Sequence, residues 1–346
     1  MPRLRRVDPS APGILRRRRG KGFTYVYPDG APVSPEDRAR IIALAIPPAW
    51  KDVWICRHPL GHLQATGTDA AGRRQYLYHE LWREKQDRAK FEGMLDFARC
   101  LPHIGQMCEE QLARRGVGRE RVLACAIRLL YRGFFRIGSE GYAEQNQTFG
   151  LATILKHHVK VTGDILSFDY IAKGNQRRRL SFEDSLAAPL VATLKRRRGG
   201  GPELLAYKRG GSWIDVTSAD INGHIKEITG KDFSAKDFRT WAATAMAAIG
   251  IAVAREATRS PTARKRAIAH VVKDVALAMG NTPAVCRASY IDPRVFDRFL
   301  SGWVISVEAL YDNADTWAMF TDKALIAAVV DLLEENKTSE TLERIA

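Results

Sequence analysis

The period of the apolar residues changes once along the chain, near residue 80, and this limits the fold more than any other feature of the sequence. From Gly22 to about Tyr78 the pattern switches every few residues. FTYVYPDGAPVS reads as a strand and a turn, Ser34-Pro35 opens a short helix through Ile46, and short strands are expected around Trp54, Gln64 and Gln75. Beyond His79, LWREKQDRAKFEGMLDFARCL and RVLACAIRLLYRGFF carry apolar residues at steps of three and four, the repeat of a helix with one buried face. One segment breaks that rule: VKVTGDILSFDYIAKGNQRRRLSF alternates and is rich in β-branched and aromatic residues, which predicts a small sheet with a hairpin tip at Lys173-Gly174-Asn175. Helices are expected again from Ser181. The glycine-rich loop KRRRGGGPE follows, then the helical runs ADINGHIKEIT, SAKDFRTWAATAMAAIGIAVA and PTARKRAIAHVVKDVALAM, and after Asp292-Pro293 further amphipathic helices such as ALIAAVVDLLEE. The expected class is α+β, with a basic arm over residues 1–20, a small β-rich domain over 21–85 and a mainly helical domain with a small antiparallel sheet over 86–346.

Charge narrows the partner. Lysine and arginine number 54 against 39 acidic residues, a formal +15 over 346 residues, which favours a polyanion and nucleic acid first. The five cysteines, Cys56, Cys100, Cys108, Cys125 and Cys286, form no CxxC pair, and Cys56 with His58 and His62 lacks a fourth ligand for zinc. The thiols therefore read as reduced. The opening MPRLRRVDPSAPGILRRRRG has no apolar stretch behind its charges, and Arg16 to Arg19 read as part of a flexible arm in a soluble, cytoplasmic protein that makes no membrane contact.

Phosphate chemistry usually shows itself through a P-loop, a magnesium-binding carboxylate cluster or an HExxH helix. Gly230-Lys231 is followed by Asp232 and lacks the upstream glycine spacing, and neither of the other patterns occurs. A chain that acts on phosphodiesters without them must bring its own cations and a side-chain nucleophile. Four separated segments hold such a set: YRGFFRIGSEGY from Tyr131 to Tyr142, DYIAKGN from Asp169, KDFRT from Lys236, and GNTPAVCRASY ending at Tyr290. In this order and with these separations they resemble the active site of the small type IB DNA topoisomerases of poxviruses and bacteria. GRRQYLYH, from Gly72 to His79, resembles that family's amino-terminal domain, so the likeness spans most of the chain.

The resemblance implies the roles. Tyr290 matches the nucleophile that attacks the phosphorus, leaves a 3′-phosphotyrosyl link and frees a 5′-hydroxyl. Arg136 and Arg239 match the two arginines that grip the non-bridging oxygens, a task suited to a fixed cation with paired donors. Lys173 matches the hairpin-tip lysine that protonates the leaving oxygen. At Asn281 the poxviral members carry histidine. An amide can donate the same hydrogen bond without its charge, and a second reading makes Asn281 the N-cap of the helix that follows. Lys236 stands where tyrosine recombinases, which share the catalytic fold, generally carry histidine. Gln75, Tyr76 and Tyr78, with Arg73 and Arg74, match DNA contacts of the amino-terminal domain, and Tyr142 is included among the DNA-binding candidates.

What the resemblance implies as a whole is a monomer that clamps duplex DNA in a salt-sensitive manner, nicks one strand, lets it rotate and religates it with no metal or nucleotide cofactor. Two rivals stay open on sequence alone: a tyrosine recombinase, and an architectural duplex-binding protein that uses the charge and needs no Tyr290.

Overall fold

A computed structural model describes residues 2–141, 143, 147–257, 260–306 and 321–345. It separates into two compact units, Met1–Glu92 and Gly93–Ala346.

The first unit is built on a five-stranded antiparallel sheet of β1 (Ile14–Arg19), β2 (Gly22–Val26), β3 (Lys51–Ile55), β4 (Leu63–Thr68) and β5 (Arg74–Tyr78), in the order β2-β1-β3-β4-β5. The strands expected around Trp54, Gln64 and Gln75 are β3, β4 and β5. One helix, α1 (Pro35–Ala43), starts where Ser34 accepts the Asp37 N–H and Pro35 occupies the first turn. It stops earlier than the expected Ile46, since Ala45 takes a positive φ of 48°. Ile41 and Ile46 pack with Ile14, Val53, Ile55 and Ala65 to make the core. Arg16 to Arg19, expected in a flexible arm, instead form most of β1. Each of the four pairs with a residue of β2, while β3 pairs with Ile14 and Leu15 at the start of the strand, so the stretch is held in a sheet despite its charge. Arg16 also binds the carbonyls of Pro47 at 3.1 Å and Trp50 at 2.5 Å, while its guanidinium covers the Phe23 ring.

The long helix α2 (Glu80–Leu112) begins in the first unit and continues through the second. The second unit then holds α3 (Arg119–Gly133), the three-stranded antiparallel sheet β6 (Val159–Thr162), β7 (Ile165–Ala172) and β8 (Gln176–Glu183), helix α4 (Ala188–Arg196), and the strand pair β9 (Ala206–Arg209) and β10 (Ser212–Asp215). Helices α5 (Ser218–Thr229), α6 (Ala235–Val253), α7 (Pro261–Met279), α8 (Pro283–Ser289) and α9 (Arg294–Leu300) follow. Strand β11 (Trp303–Ile305), helix α10 (Lys323–Glu334) and strand β12 (Leu342–Arg344) end the fold, with β11 and β12 paired. This is an α+β chain, rich in helix with small antiparallel sheets. Among the described residues no helix is long and apolar enough to cross a membrane.

Two features of the second unit depart from the sequence pattern. Helix α4 starts at Ala188, because β8 carries the hairpin on to Glu183. The pairs β9–β10 and β11–β12 were not expected, as strands of three or four residues carry too little alternation to be recognised.

Helix α3 is buried at every position from Val122 to Gly133, and α6 packs against it with Phe238 stacked on Tyr131. Two arginines in that apolar environment, Arg128 and Arg132, share Asp184. Arg128 Nε donates to Asp184 at 2.8 Å, Arg132 Nε lies 3.1 Å from the same carboxylate, and Asp184 also accepts the Ala187 N–H. A buried carboxylate surrounded this way fixes α3 to the end of the sheet.

Candidate active site

The site grows from the end of α3. Phe134 caps that helix in the left-handed region, with φ of 50°, so the chain reverses, Phe135 is buried, and Arg136 leaves the core. Arg136 is half-buried, and its Nη2 donates to the Gly280 carbonyl at 2.9 Å and to Asn281 Oδ1. Residues 144 apart in the sequence therefore meet here.

The partner segment is itself a helix boundary. α7 ends on Gly280, whose φ of 62° only glycine adopts without strain, and the Asn281 N–H closes the turn on the Ala276 carbonyl at 2.9 Å. Thr282, and not Asn281, is the N-cap of α8: its side chain accepts the Val285 N–H and Pro283 follows at the first helical position. Asn281 is thus released from capping. Its Oδ1 takes Arg136, and its Nδ2 is buried with no hydrogen-bond partner.

Helix α8 runs seven residues and terminates on Tyr290, which is half-buried. The Tyr290 main chain is held by Thr244 of α6, whose hydroxyl donates to the Tyr290 carbonyl at 3.2 Å and accepts the Asp292 N–H at 3.1 Å. One turn earlier on α6 comes Arg239, 3% exposed, with its Cζ 5.1 Å from the centre of the Tyr290 ring. Arg239 donates through Nη1 to the Phe134 carbonyl and through Nη2 to the Met279 carbonyl at 3.1 Å, so it bridges the ends of α3 and α7. Burial pushes its pKa down to about 10, against the pull of the neighbouring Tyr290 hydroxyl, and the charges of Arg136 and Arg178 push in the same direction as burial.

Lys173 sits at the exposed tip of the β7–β8 hairpin, before Gly174 and Asn175 with φ of 81° and 58°. It shares a pocket of about 300 Å³ with Arg136, Ser139, Thr148, Phe149 and Asn222. On the other side of the Arg136–Asn281 contact, a groove of about 470 Å³ is lined by Gln176, Arg177, Arg178, Arg179, Leu277 and Asn281. The structure thus brings together Arg136, Arg239, Asn281 and Tyr290, with Lys173 across a common pocket from Arg136. Lys236 is exposed on the first turn of α6, where its carbonyl accepts the Thr240 hydroxyl. Tyr142 lies outside the described residues.

Arg178 was not apparent as a site residue. It lies on the sheet face opposite Arg177 and Arg179, and its Nη2 binds the Gly133 carbonyl at 2.9 Å and the Ala278 carbonyl at 3.1 Å. The strand alternation in QRRRL is the signal that separates it from its neighbours. Thr244 had no such signal, since its role depends on a residue 46 positions away.

Three guanidiniums therefore converge, and their hydrogen bonds go to neutral oxygens. Among the described residues no carboxylate lies within ion-pair distance of Arg136, Arg178 or Arg239. The Nε groups of Arg178 and Arg239 and the amide of Asn281 are buried donors with no hydrogen-bond partner among the described residues. Such an arrangement is costly by itself and is suited to an oxyanion.

In the first unit, Arg74, Tyr76 and Tyr78 point to the exposed face of β5, with the two phenol rings stacked at 6.2 Å and Arg74 on the Thr66 hydroxyl. Gln75 points the other way, its amide donating to Asp69 at 2.9 Å, and Arg73 pairs with the same carboxylate. The sequence grouping of Gln75 with Tyr76 and Tyr78 is therefore divided between two faces.

Comparison with known proteins gives two family matches. Residues 79–298 match the family described as eukaryotic DNA topoisomerase I, catalytic core, and residues 22–69 match the bacterial DNA topoisomerase IB amino-terminal domain. The chain is 31% identical over 288 residues to a DNA topoisomerase 1B of Acanthamoeba polyphaga mimivirus, covering 81% of this chain and 85% of that relative. It is 20% identical over 240 residues to the DNA topoisomerase 1B of Vaccinia virus (strain Copenhagen) and to the DNA topoisomerase I of Monkeypox virus, in each case over 69% of this chain and 73% of the relative.

Proposed function

The chain belongs to the type IB DNA topoisomerases, isomerases that act on duplex DNA, and we propose that it works through Tyr290. The Tyr290 oxygen attacks the scissile phosphorus, a P–O(Tyr) bond forms and the P–O5′ bond breaks. Lys173 gives the departing 5′-oxygen its proton. Arg136, Arg239 and the unpartnered Asn281 amide hold the non-bridging oxygens as negative charge builds on the phosphorane. The phosphodiester energy is kept in the adduct. The free 5′-end rotates, supercoils of either sign relax, and the reverse reaction reseals the strand without ATP.

The observation that carries this reading is the convergence of three guanidiniums beside a tyrosine, with no acidic partner among the described residues, together with buried donors that await acceptors. It also supports a metal-free reaction, because the chain's own cations supply the charge that a divalent ion supplies elsewhere. The second unit is proposed to have the catalytic fold shared with tyrosine recombinases. The exposed face of β5, with Tyr76, Tyr78 and Arg74, and the exposed Lys236 are proposed as DNA-backbone and groove contacts. The enzyme is proposed to act in the cytoplasm as a monomer that clamps the duplex, with affinity falling steeply as salt rises.

The test is a supercoiled plasmid mixed with protein in EDTA and quenched with denaturing detergent. The expected result is nicked plasmid with protein attached to the 3′-end, and a ladder of relaxed topoisomers without strand exchange between plasmids. Tyr290→Phe retains the plasmid noncovalently and forms no adduct. A wild-type protein that never becomes attached overturns the mechanism.

A further inference from the structure

Arg177, Arg178 and Arg179 are consecutive on β8, yet they have two separate roles. Arg177 and Arg179 face solvent and both bind Asp169, at 2.7 and 3.1 Å. Arg178 faces inward opposite Tyr170, its register partner, and its hydrogen bonds go to neutral groups, the carbonyls of Gly133 and Ala278. Those two carbonyls belong to the last turns of α3 and α7. Three residues beyond Gly133 comes Arg136, and three residues beyond Ala278 comes Asn281. The approach is close, since a Cβ placed on Gly280 would overlap Arg178 Nη1.

A single guanidinium nitrogen, Nη2, donates to two carbonyls from different elements at once, at the negative ends of two helices where a cation is favoured. We propose that Arg178 is a positioning residue of the cleavage reaction: by clasping the ends of α3 and α7 it sets the distance between Arg136 and Asn281, so that both meet one phosphate. This rests on the mechanism given above, in which those two residues bind the non-bridging oxygens. The proximity of Arg178 to Arg136 and Arg239 adds a further positive charge behind the phosphate site.

The test follows covalent-adduct formation on supercoiled plasmid with the enzyme in excess, for the wild type, Arg178→Ala and Arg178→Lys, each also in an Asn281→Ala background. Arg178→Ala is expected to slow adduct formation on the order of 10- to 100-fold, as slight misplacement of substrate-binding groups does. Arg178→Lys, which keeps the charge but ends one bond short of the position of Nη2, is expected to be slow as well, and it carries the test should the alanine variant fail to fold. With Asn281 already removed, either substitution at Arg178 costs much less, because part of what it positions is gone. A merely structural role predicts the same added cost in both backgrounds, and that result overturns the proposal. So does a lysine variant that cleaves at the wild-type rate. Wild-type protein that forms no adduct fails the mechanism itself, whereas wild-type adduct with unimpaired Arg178 variants fails this inference alone.

Discussion

The Arg239 guanidinium lies over the ring of Tyr290, 5.1 Å from its centre, and is fixed there by the carbonyls of Phe134 and Met279. A cation held rigidly beside a phenol favours the phenolate that must develop during attack, and the same group can bind a phosphoryl oxygen without rearranging. Arg239→Ala is expected to reduce the single-turnover cleavage rate by about 10²- to 10³-fold, the usual cost of one oxyanion donor. Arg239→Lys recovers little of this, because one ammonium cannot hold two carbonyls and still face the phosphate. Rapid-quench measurement on a mapped cleavage site decides between them, and a lysine variant at wild-type speed would show that charge alone suffices.

Lys173 shares its pocket with Arg136 and sits on a turn in which Gly174 and Asn175 adopt positive φ. If its task is to protonate the 5′-oxygen, Lys173→Ala should be slow on ordinary DNA by roughly 10²- to 10⁴-fold, the range for a positioned general acid. A substrate with sulfur at the 5′-bridging position has a leaving group that needs no proton. On it the alanine variant is expected to approach the wild-type rate, and persistent slowness would remove the general-acid role.

The candidates for these roles were legible because they sit in short segments whose residue types and spacing are local properties of the chain. KDFRT and GNTPAVCRASY single out candidate residues through their resemblance to the family before any folding is known. What the sequence hides is distance: nothing in it says that Arg136 ends on Gly280, that Thr244 holds Tyr290, or that Arg128 and Arg132 share Asp184. Other features were open to inspection. Gly210-Gly211, both at positive φ, is a two-residue hairpin turn and could have located β9 and β10. Arg16 to Arg19 illustrate the opposite error, since four like charges suggest a solvated arm, while residue-by-residue pairing with β2 outweighs them.

Asp184 has no exposed side-chain surface and accepts from Arg128, with Arg132 beside it. Replacing it by alanine leaves two guanidiniums buried against an apolar helix, and the expected loss is about 3–5 kcal/mol of stability. Asp184→Asn keeps the shape and part of the hydrogen bonding and should lose less. Denaturant unfolding of the two variants measures the difference, and an alanine variant as stable as the wild type would mean that α3 is held by its apolar contacts alone.

His158 supplies a pH dependence. Its ring packs on Phe149 at 4.6 Å, its Nδ1 accepts the Leu155 N–H, and burial lowers its pKa from 6.5 to about 4. The folded value lies below the unfolded one. Above pH 6.5 both states are neutral and the contribution to stability is complete; as pH falls from about 6.5 to about 4 the unfolded chain takes up the proton first and stability declines. His158→Asn, which preserves an acceptor for Leu155, is expected to flatten the dependence of Tm on pH across that window. Equal slopes would place the acid sensitivity elsewhere.

Asn281 is where the chain departs from the poxviral pattern, and its surroundings define what the departure changes. Its oxygen is bound by Arg136, so the amide is oriented with Nδ2 buried and unsatisfied, and Thr282 caps α8 in its place. An amide held this way can donate one hydrogen bond to a phosphoryl oxygen, as a histidine ring nitrogen would, but it cannot bring charge. Asn281→His is therefore expected to cleave, with a rate that gains a dependence on pH near the ordinary histidine range of about 6.5 that the natural enzyme lacks. Asn281→Ala removes the donor and releases Arg136 from its partner, and should lose on the order of 10²- to 10³-fold in cleavage rate. Helix α8 keeps its Thr282 cap in both variants, so the stability of the fold should change little. An alanine variant that cleaves as fast as the wild type would leave Arg136 and Arg239 to bind the phosphate by themselves.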